Sequence, residues 1–380
     1  MLNLLVSGAT GQLGAGMFEA DDTAGPWQAS LLLRPRGAKS ANERAQQLAL
    51  SRPGSVTAVL AGDITKRAWG LDDDQLDALA DSVDAVVNLG GDTRWVAPER
   101  DLQAGNVVGA LQGYALAERL QQIARRPIPY VQVSSVFVAP AEEARIPEAP
   151  SPRHGGRTPY EHSKWMAEQS LLARAGRRGS APLVIARVAA LVGNSTTGAT
   201  VRRNSLYLLA DTWSKSPRGV VPLARGARVD ALPREVAADW LLRAARAAVA
   251  EPSSDPVVVH VACGDAAPAT AALFEVARAL GSRVGQSVPR AVTMPVRAIV
   301  WGCENVQHLG LLSTANRSAL IGLRYVALQR VFENGRLASL IGERPGPPSV
   351  ETLARLVFGL DMEQPRPATG GHGALARFVA

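Results

Sequence analysis

The sequence has little cysteine, few aromatic residues and no long apolar run. Two of its 380 residues are cysteines, Cys263 and Cys303, and their spacing matches neither a metal site nor a redox pair. A disulfide framework is therefore excluded, and we expect two reduced thiols and no metal, as in a cytoplasmic protein. No stretch approaches about 18 uninterrupted apolar residues, so no membrane-spanning helix is expected.

The sequence also lacks an export signal and a basic run. Residues 1–6 are apolar but continue directly into glycines, without the basic start and the cleavage site of a signal peptide. The net charge is +7, and the arginines that carry most of it are scattered through predicted helices. With aromatic residues at only 5%, this pattern does not favour nucleic acid as a partner. It favours a mild attraction for an anionic cofactor or a phosphorylated substrate.

Short apolar runs alternate with helical patterns through the first two-thirds of the chain. Continuous apolar strands between helices are typical of a parallel sheet that is covered on both faces. We therefore predict an α/β fold with a doubly wound, Rossmann-like parallel sheet and a smaller, mainly helical C-terminal substrate region. Residues 1–190 would form the NADP-binding domain and residues 191–380 the substrate region, with a late strand near 257–262 returning to the first sheet. The remaining strands are predicted at 2–6, 29–33, 56–60, 83–89, 128–134 and 183–187, the helices at 11–20, 40–50, 73–80, 99–124, 159–175, 204–214, 234–250 and 267–280, and a helical cap with a loose tail at 282–380.

A glycine-rich turn lies between the first predicted strand and the first predicted helix. Glycines at this place allow a tight turn and a close approach of the backbone to a pyrophosphate, while the start of the helix supplies amide groups. Such a pattern is common on its own, but its position between a strand and a helix is typical of a dinucleotide site. The residues of the turn that we expect to bind the cofactor are Gly8, Thr10, Gly11, Gln12, Leu13 and Gly14.

The ends of later strands extend this predicted site. Arg34 and Arg36 follow the second strand, where arginine suits a 2′-phosphate, so the sequence predicts NADPH rather than NADH. Asp63 follows the third strand and is a candidate acceptor for the adenine amino group. The other predicted cofactor contacts are Ile64, Leu89, Gly90, Gly91, Tyr160, Lys164 and Arg187.

Tyr160 and Lys164 lie four residues apart in a predicted helix and therefore on the same side of it. An ammonium beside a phenol is expected to lower the phenol pKa from about 10 toward neutrality, so that the phenol can exchange a proton with a substrate oxygen. Ser135, at the end of the fifth strand, would polarise a substrate carbonyl together with Tyr160. Lys164 would also contact the nicotinamide ribose, and Asn106 would hold a relay water.

These residues give the chain a resemblance to the extended short-chain dehydrogenases/reductases. The resemblance covers roughly residues 1–265 and is carried by Gly8, Gly11, Gly14, Ser135, Tyr160 and Lys164. Within that superfamily the sequence is most similar to the thioester reductase and fatty acyl-CoA reductase branch. The segments that resemble this branch are Ser163-Lys164-Trp165-Met166-Ala167-Glu168, Leu33-Arg34 with the helix around Glu43-Arg44, Gly62-Asp63-Ile64 with Gly70-Leu71 later, and Val229-Asp230-Ala231-Leu232-Pro233.

The resemblance implies an NADPH-dependent reductase that takes an acyl thioester, on coenzyme A or a carrier protein, to an aldehyde and sometimes onward to an alcohol. Hydride addition would give a hemithioacetal oxyanion, with Tyr160 as the general acid. The loop at 194–198 is expected to be mobile and to line a path for a phosphopantetheine arm. Relatives of this kind often pair through the helix that carries the tyrosine, so the resemblance also implies a homodimer.

The sequence departs from the branch at two places. Gly90 and Gly91 stand where the branch often has His or Asn followed by two alanines. A valine, Val188, follows Arg187 where a proline is usual, which affects the expected nicotinamide contact at that strand.

Two other classes of function remain open at this stage. The same residues would serve a ketone or alcohol oxidoreductase, or a nucleotide-sugar epimerase, although an epimerase favours NAD and Arg34 argues against NAD. A non-catalytic NADPH-binding regulatory protein is the other alternative. The intact set of Ser135, Tyr160 and Lys164 argues against it, because a sensor does not need an acidified phenol.

Overall fold

The structure is a computed structural model that describes residues 1–34, 41–95, 97–140, 144–154, 158–214, 219–295 and 329–360. Arg36, Cys303 and part of the predicted C-terminal cap and tail lie outside these residues.

Strands alternate with helices along most of the described chain. The strands are β1 Leu2–Ser7, β2 Trp27–Leu33, β3 Val56–Ala61, β4 Ala85–Asn88, β5 Tyr130–Ser135, β6 Arg145–Ile146, β7 Leu183–Val188, β8 Ala190–Val192, β9 Val220–Ala224, β10 Ala231–Pro233, β11 Val257–Val261, β12 Arg290–Met294 and β13 Val331–Phe332. The helices are α1 Gln12–Glu19, α2 Ala41–Ser51, α3 Asp73–Ser82, α4 Glu99–Leu102, α5 Gly109–Ala124, α6 Pro159–Arg174, α7 Ser205–Ser214, α8 Arg234–Ala250, α9 Thr270–Arg283, α10 Gly335–Ile341 and α11 Val350–Phe358.

Seven of these strands form one parallel sheet in the order β11-β7-β5-β4-β1-β2-β3. Successive side chains of β1 lie on opposite faces: Leu4 and Val6 join a core with α1 and α8, and Leu5 joins a core with α3, α5 and α6. Helices therefore cover both faces, and the predicted doubly wound α/β fold is confirmed. Because the chain order reverses between β1 and β4, the loops that follow these two strands diverge and leave a crevice at the carboxyl edge of the sheet.

The helix that the sequence predicts as continuous over 99–124 is interrupted in the structure. A π turn at Gln103–Val108 separates α4 from α5. Such turns commonly occur at functional sites. This one carries Asn106, whose side-chain amide bonds both backbone groups of Asp92 in the loop after β4. The predicted span 99–124 is thus helical along its whole length, and the π turn within it is the feature that the sequence pattern does not indicate.

A smaller core lies beyond the sheet and is formed by α7, α9 and α11. Phe274 packs against Trp213 and Phe358, with ring centroids 5.0 and 5.2 Å apart. Short two-stranded sheets, β8 with β10 and β9 with β12, lie in the same part of the chain. Helix α11 lies within the region 282–380, which the sequence predicts as a helical cap with a loose tail, and it packs into this core, while residues 361–380 lie outside the described part of the chain. Apolar residues of α11 recur at helical spacing between proline-rich segments, which hid the pattern.

Among the described residues, no helix combines the length and the apolar character needed to cross a bilayer. In the same part of the chain, no group of three or more His, Cys, Asp or Glu side chains is arranged to hold a metal ion.

Candidate active site

The glycine turn between β1 and α1 is shaped by close backbone contacts. Gly8 has a φ of +73°, and a Cβ there would lie 2.6 Å from the Gly90 nitrogen, so only glycine fits. A Cβ on Gly14 would lie 2.2 Å from the Ala9 carbonyl oxygen. A Cβ on Gly11 would meet the Gly8 carbonyl oxygen at 3.2 Å and otherwise open space, just before the first turn of α1. The turn is therefore open at Gly11, next to the start of α1, where the pyrophosphate of a dinucleotide binds in folds of this type.

A buried polar network fixes the loop after β4. Asn88 Oδ1 accepts hydrogen bonds from Ser7 Oγ at 2.6 Å and from the Gly90 nitrogen at 3.0 Å, and Asn88 Nδ2 donates to the Tyr130 hydroxyl at 2.9 Å. These contacts join the ends of β1 and β4 to β5. Sequence analysis missed Ser7 and Asn88, although a polar residue that ends an otherwise apolar strand is a readable signal.

The second glycine of this loop, Gly91, is required for steric reasons. Gly91 has a φ of +151°, and a Cβ there would lie 2.5 Å from Asn106 Oδ1 and 3.2 Å from Lys164 Nζ. A side chain at this position would therefore displace the predicted catalytic lysine or the π turn. Only glycine therefore fits at position 91 while Asn106 and Lys164 keep these places.

Tyr160 and Ser135 meet at the end of β5. Tyr160 is 8% exposed and lies in an apolar cluster with Ala97 and Leu102, and the Ser135 hydroxyl is close enough to act on its phenol. Burial raises the pKa of Tyr160 to about 12, and the nearby Ser135 hydroxyl opposes this rise only in part. This direction is the opposite of the acidification that the sequence predicts.

Lys164 lies one turn further along α6 and is 5% exposed. Its Nζ donates to the Val133 carbonyl oxygen at 3.2 Å. Burial lowers the pKa of Lys164 to about 8, although the carboxylates of Glu168 and Asp92 favour its charged form. Burial disfavours both the Tyr160 phenolate and the Lys164 ammonium. The expected lowering of the Tyr160 pKa by Lys164 is therefore not found.

Asn106 holds the loop after β4 beside Lys164. Its Nδ2 donates to the Asp92 carbonyl oxygen and to Ser163 Oγ, both at 2.9 Å, and its Oδ1 accepts from the Asp92 nitrogen at 2.9 Å. Both N–H groups of the amide are therefore used within the chain. The relay water that the sequence suggests for this residue stays a prediction.

Arg34 and Asp63 are brought together at the carboxyl ends of β2 and β3. Arg34 Nη1 lies 3.6 Å from Asp63 Oδ2, and the Arg34 side chain is 67% exposed. Burial opposes ionisation of Asp63, but hydrogen bonds from Thr65 and the charge of Arg34 outweigh it, so the pKa of Asp63 is lowered. The side chains of the other predicted contacts, Thr10, Leu13, Ile64 and Leu89, are buried or half-buried beside this edge.

Residues 6–241 match the family of NAD-binding proteins described as "Male sterility protein". The chain belongs to the male sterility protein family. It is an extended short-chain dehydrogenase/reductase of the thioester reductase branch, as the sequence predicts, and its family is one of NAD-binding proteins.

Curated relatives of this family member are much longer than the chain. L-2-aminoadipate reductase of Schizosaccharomyces pombe is 26% identical over 216 residues, which is 53% of this chain and 14% of the relative. Glycine betaine reductase of Emericella nidulans is 29% identical over 233 residues, 59% of this chain and 17% of the relative. One of the linear gramicidin synthase subunits of Brevibacillus parabrevis is 29% identical over 155 residues, 39% of this chain and 3% of the relative. The chain thus spans less than a fifth of each of these proteins.

Solved structures share the fold of this family member. The terminal R domain from the myxalamid PKS-NRPS biosynthetic pathway has a TM-score of 0.68 at 23% identity, covering 94% of this chain and 89% of that domain. A thiolation-reductase di-domain from an archaeal non-ribosomal peptide synthetase has a TM-score of 0.67 at 18% identity, covering 93% of this chain and 74% of that one. A UDP-galactose 4-epimerase has a TM-score of 0.61 at 15% identity, covering 94% and 98%.

Arg187, which the sequence predicts as a cofactor contact, lies in the interior of the chain. Its guanidinium and the Glu168 carboxylate are each 1% exposed and meet at 2.7 Å from Nη2 to Oε2. Ser134 Oγ donates to the same carboxylate at 2.5 Å. His260 contacts Arg187 at 3.4 Å, and burial together with the Arg187 charge lowers the pKa of His260 to about 3, so the ring stays neutral. The Arg187 side chain therefore joins β7 to α6 and is not free to bind the cofactor, contrary to the prediction.

Gln12, another predicted cofactor contact, has its side chain bonded to protein groups. Its Nε2 donates to the Val192 carbonyl oxygen at 3.1 Å, and its Oε1 accepts from the Val201 nitrogen at 2.9 Å. The side chain joins the first turn of α1 to the loop after β8, and the predicted cofactor contact of Gln12 stays a prediction for its backbone. That loop contains the segment 194–198, which the sequence predicts to be mobile and which the structure shows tied down by hydrogen bonds.

An open cavity of about 520 Å³ lies between α5 and the end of α6. Glu118, Arg174 and Arg177 are among the residues that line it. This cavity is at the amino edge of the sheet, where β7 begins, and Tyr160 is at the opposite edge. It is therefore not a candidate for the chemistry.

Proposed function

We propose that this chain is an NADPH-dependent reductase of an acyl thioester, carried by coenzyme A or a carrier protein, or of the derived aldehyde. The observation that carries the proposal is the placement of Ser135 beside the Tyr160 phenol, with Lys164 one turn away on the same helix. The pair lies at the carboxyl end of β5, beside the loop that borders the glycine turn. Two hydroxyls that converge in this way can polarise a carbonyl oxygen.

The protein groups support reduction rather than proton abstraction. The nicotinamide cofactor, when bound, supplies the hydride. As the thioester carbonyl carbon gains hydride, the hydroxyls of Ser135 and Tyr160 stabilise the oxyanion that forms on its oxygen. Because burial raises the pKa of Tyr160 to about 12, this phenol is protonated at neutral pH and acts as a donor. Cleavage of the carbon–sulfur bond then releases thiolate and leaves the aldehyde, with the Lys164 ammonium as the nearby positive charge.

Arg34 supports NADPH over NADH. Its contact with Asp63 is long, at 3.6 Å, and most of its guanidinium is exposed at the edge where the adenosine end of a dinucleotide lies in such sheets. A charge-assisted hydrogen bond to a 2′-phosphate contributes about 1.5–3 kcal/mol, a preference of roughly tenfold to a hundredfold.

The names of the relatives support a carrier-bound acyl group. One solved neighbour is a reductase joined to a thiolation domain, and another is the terminal R domain of a PKS-NRPS pathway. A curated relative belongs to a linear gramicidin synthase. In proteins of this kind the acyl chain would arrive as a thioester, which is the substrate that we assign to this chain.

A substrate panel tests the proposal. The protein is mixed with NADPH and, in separate reactions, coenzyme A thioesters, carrier-bound thioesters, aldehydes, ketones and nucleotide sugars, and the loss of reduced nicotinamide absorbance is followed. We expect oxidation of NADPH with thioesters or aldehydes. Turnover of ketones alone would show a ketone reductase, conversion of a nucleotide sugar would show an epimerase, and NADPH binding without any turnover would show a regulatory protein. Each of these results overturns the proposal.

A further inference from the structure

The loop after β8 lies across the start of α1. Gln12 fixes both of its ends, because its amide binds the carbonyl of Val192 at 3.1 Å and the nitrogen of Val201 at 2.9 Å. The Thr200 hydroxyl adds a contact with Gln12 Oε1 at 3.2 Å. Gln12 directly follows Gly11, the residue at the open side of the glycine turn. The loop therefore borders the place where a dinucleotide pyrophosphate would bind.

Further contacts make this loop a fixed support. The Gly193 nitrogen donates to the Tyr207 hydroxyl at 2.7 Å, and the Ser195 nitrogen donates to Glu235 Oε1 at 2.8 Å. Asn194 Nδ2 donates to Glu19 at 3.1 Å. Side chains that this loop presents are thus preorganised, which reduces the entropy lost on binding.

Arg202 is presented by the end of this loop. Its carbonyl oxygen accepts from the Thr200 hydroxyl at 3.1 Å, one residue away from the contact of Val201 with Gln12. Its charge also reaches the loop after β4: burial opposes ionisation of Asp92, but hydrogen bonds from Arg94 and the charges of Arg94 and Arg202 lower the pKa of Asp92. The backbone of Arg202 is therefore held near the loop after β1, its charge acts on Asp92 in the loop after β4, and these two strands are neighbours in the sheet.

These two loops form the crevice that accepts a dinucleotide in sheets of this type. The amides at the start of α1 serve one side of the pyrophosphate, and a guanidinium on the other side would complete its coordination with charge-assisted hydrogen bonds. We propose that Arg202, exposed on the loop that Gln12 anchors, closes over the crevice and binds the cofactor pyrophosphate. This assignment rests on the nicotinamide cofactor of the proposed function and not on the acyl thioester.

The next residue provides a matched control. Arg203 has the same charge and is also exposed, but its Nη2 binds Asp211 at 2.8 Å and its guanidinium lies 5.2 Å from the centre of the Tyr207 ring. It is therefore directed toward α7 and away from the crevice.

The test measures cofactor binding without any acyl substrate. Dissociation constants for NADPH, NADH and ADP-ribose are determined by calorimetry for the unchanged protein, Arg202→Gln and Arg203→Gln, with circular dichroism as the check on folding. All three nucleotides contain the pyrophosphate, so Arg202→Gln should weaken each of them by about tenfold or more. Arg203→Gln should stay within about twofold, as expected for an exposed pair.

Two outcomes overturn the assignment. If Arg202→Gln binds all three nucleotides as Arg203→Gln does, the arginine does not touch the cofactor. If it weakens NADPH alone, it contacts the 2′-phosphate and not the pyrophosphate. No thioester is present in this test, so either result says nothing against the proposed thioester reduction. Conversely, a substrate panel without turnover would not change what the binding constants say about Arg202.

Discussion

Lys164 and Glu168 lie one turn apart on α6, and both are buried, yet their surroundings differ. Glu168 meets the Arg187 guanidinium at 2.7 Å, so its charge is matched in the interior. Lys164 meets the carbonyl oxygen of Val133, and burial lowers its pKa to about 8. The comparison teaches that a fully paired buried charge supports the fold, whereas a buried charge that meets a neutral group stays close to titration and is available to a ligand.

The largest effect on stability is expected at Glu168, the buried carboxylate that is paired with Arg187. Glu168→Gln leaves the Arg187 guanidinium buried without a countercharge, which should lower the free energy of unfolding by about 3–5 kcal/mol. Urea denaturation measures this, with Asp211→Asn in the exposed pair with Arg203 as the control, where about 1 kcal/mol or less is expected. If both variants lose equally little, the buried pair is not the structural element described here.

The largest effect on catalysis is expected at Tyr160, which lies one turn before Lys164 on α6. Tyr160→Phe removes the proton donor and should lower turnover by about a thousandfold while leaving the dissociation constant of NADPH nearly unchanged. Tyr114→Phe removes another buried hydroxyl, bonded to the Ala181 carbonyl oxygen at 2.7 Å, and should keep its turnover. Undiminished turnover in Tyr160→Phe would remove this phenol from the mechanism.

Lys164 should make stability depend on pH in alkaline solution. Its pKa is about 8 in the folded chain and 10.5 by itself, so below pH 8 the fold must bury an ammonium. As pH rises from 8 to 10.5 the folded lysine loses its proton before the unfolded one does, and this cost disappears. Relative to Lys164→Met, the unchanged protein should therefore gain up to about 3 kcal/mol over this window. A difference that stays flat with pH, in parallel urea titrations, would contradict the lowered pKa.

The smallest expected effect concerns cofactor choice. Arg34→Gln should weaken NADPH binding by about tenfold and leave NADH binding unchanged, because only NADPH has the 2′-phosphate. Arg119→Gln, an exposed arginine on α5, is the control. Equal weakening of both cofactors would place Arg34 at a group that the two share.

Most of the sheet could be predicted from the sequence because all its strands except the edge strand β3 are largely buried on both faces. Such strands are mostly apolar, and the predicted ends differ from the observed ends by about two residues or fewer. The glycine turn was readable for a similar reason, since Gly8 and Gly14 are required by the backbone itself. The approach of Ser135 to Tyr160 also followed from their positions at a strand end and a helix start.

Other parts of the site depend on contacts between distant segments and could not be predicted. Arg187 looked like a cofactor contact because strand position alone does not show that Glu168 is already its partner. The pKa of Tyr160 depends on the cover that Ala97 and Leu102 provide, and these residues lie about 60 positions earlier in the chain. The anchoring of the loop after β8 by Gln12 is invisible for the same reason.

The pairing of β11 with β7 has a consequence for folding during protein synthesis. This strand pairs with β7 only through residues 257–261, which follow β7 by about 70 positions. A nascent chain that has just completed β7 would expose an unpaired strand edge, which is prone to join another chain. Synthesis beyond residue 261 is therefore the point at which this edge can be protected, and a chain that stalls earlier should be the form that aggregates.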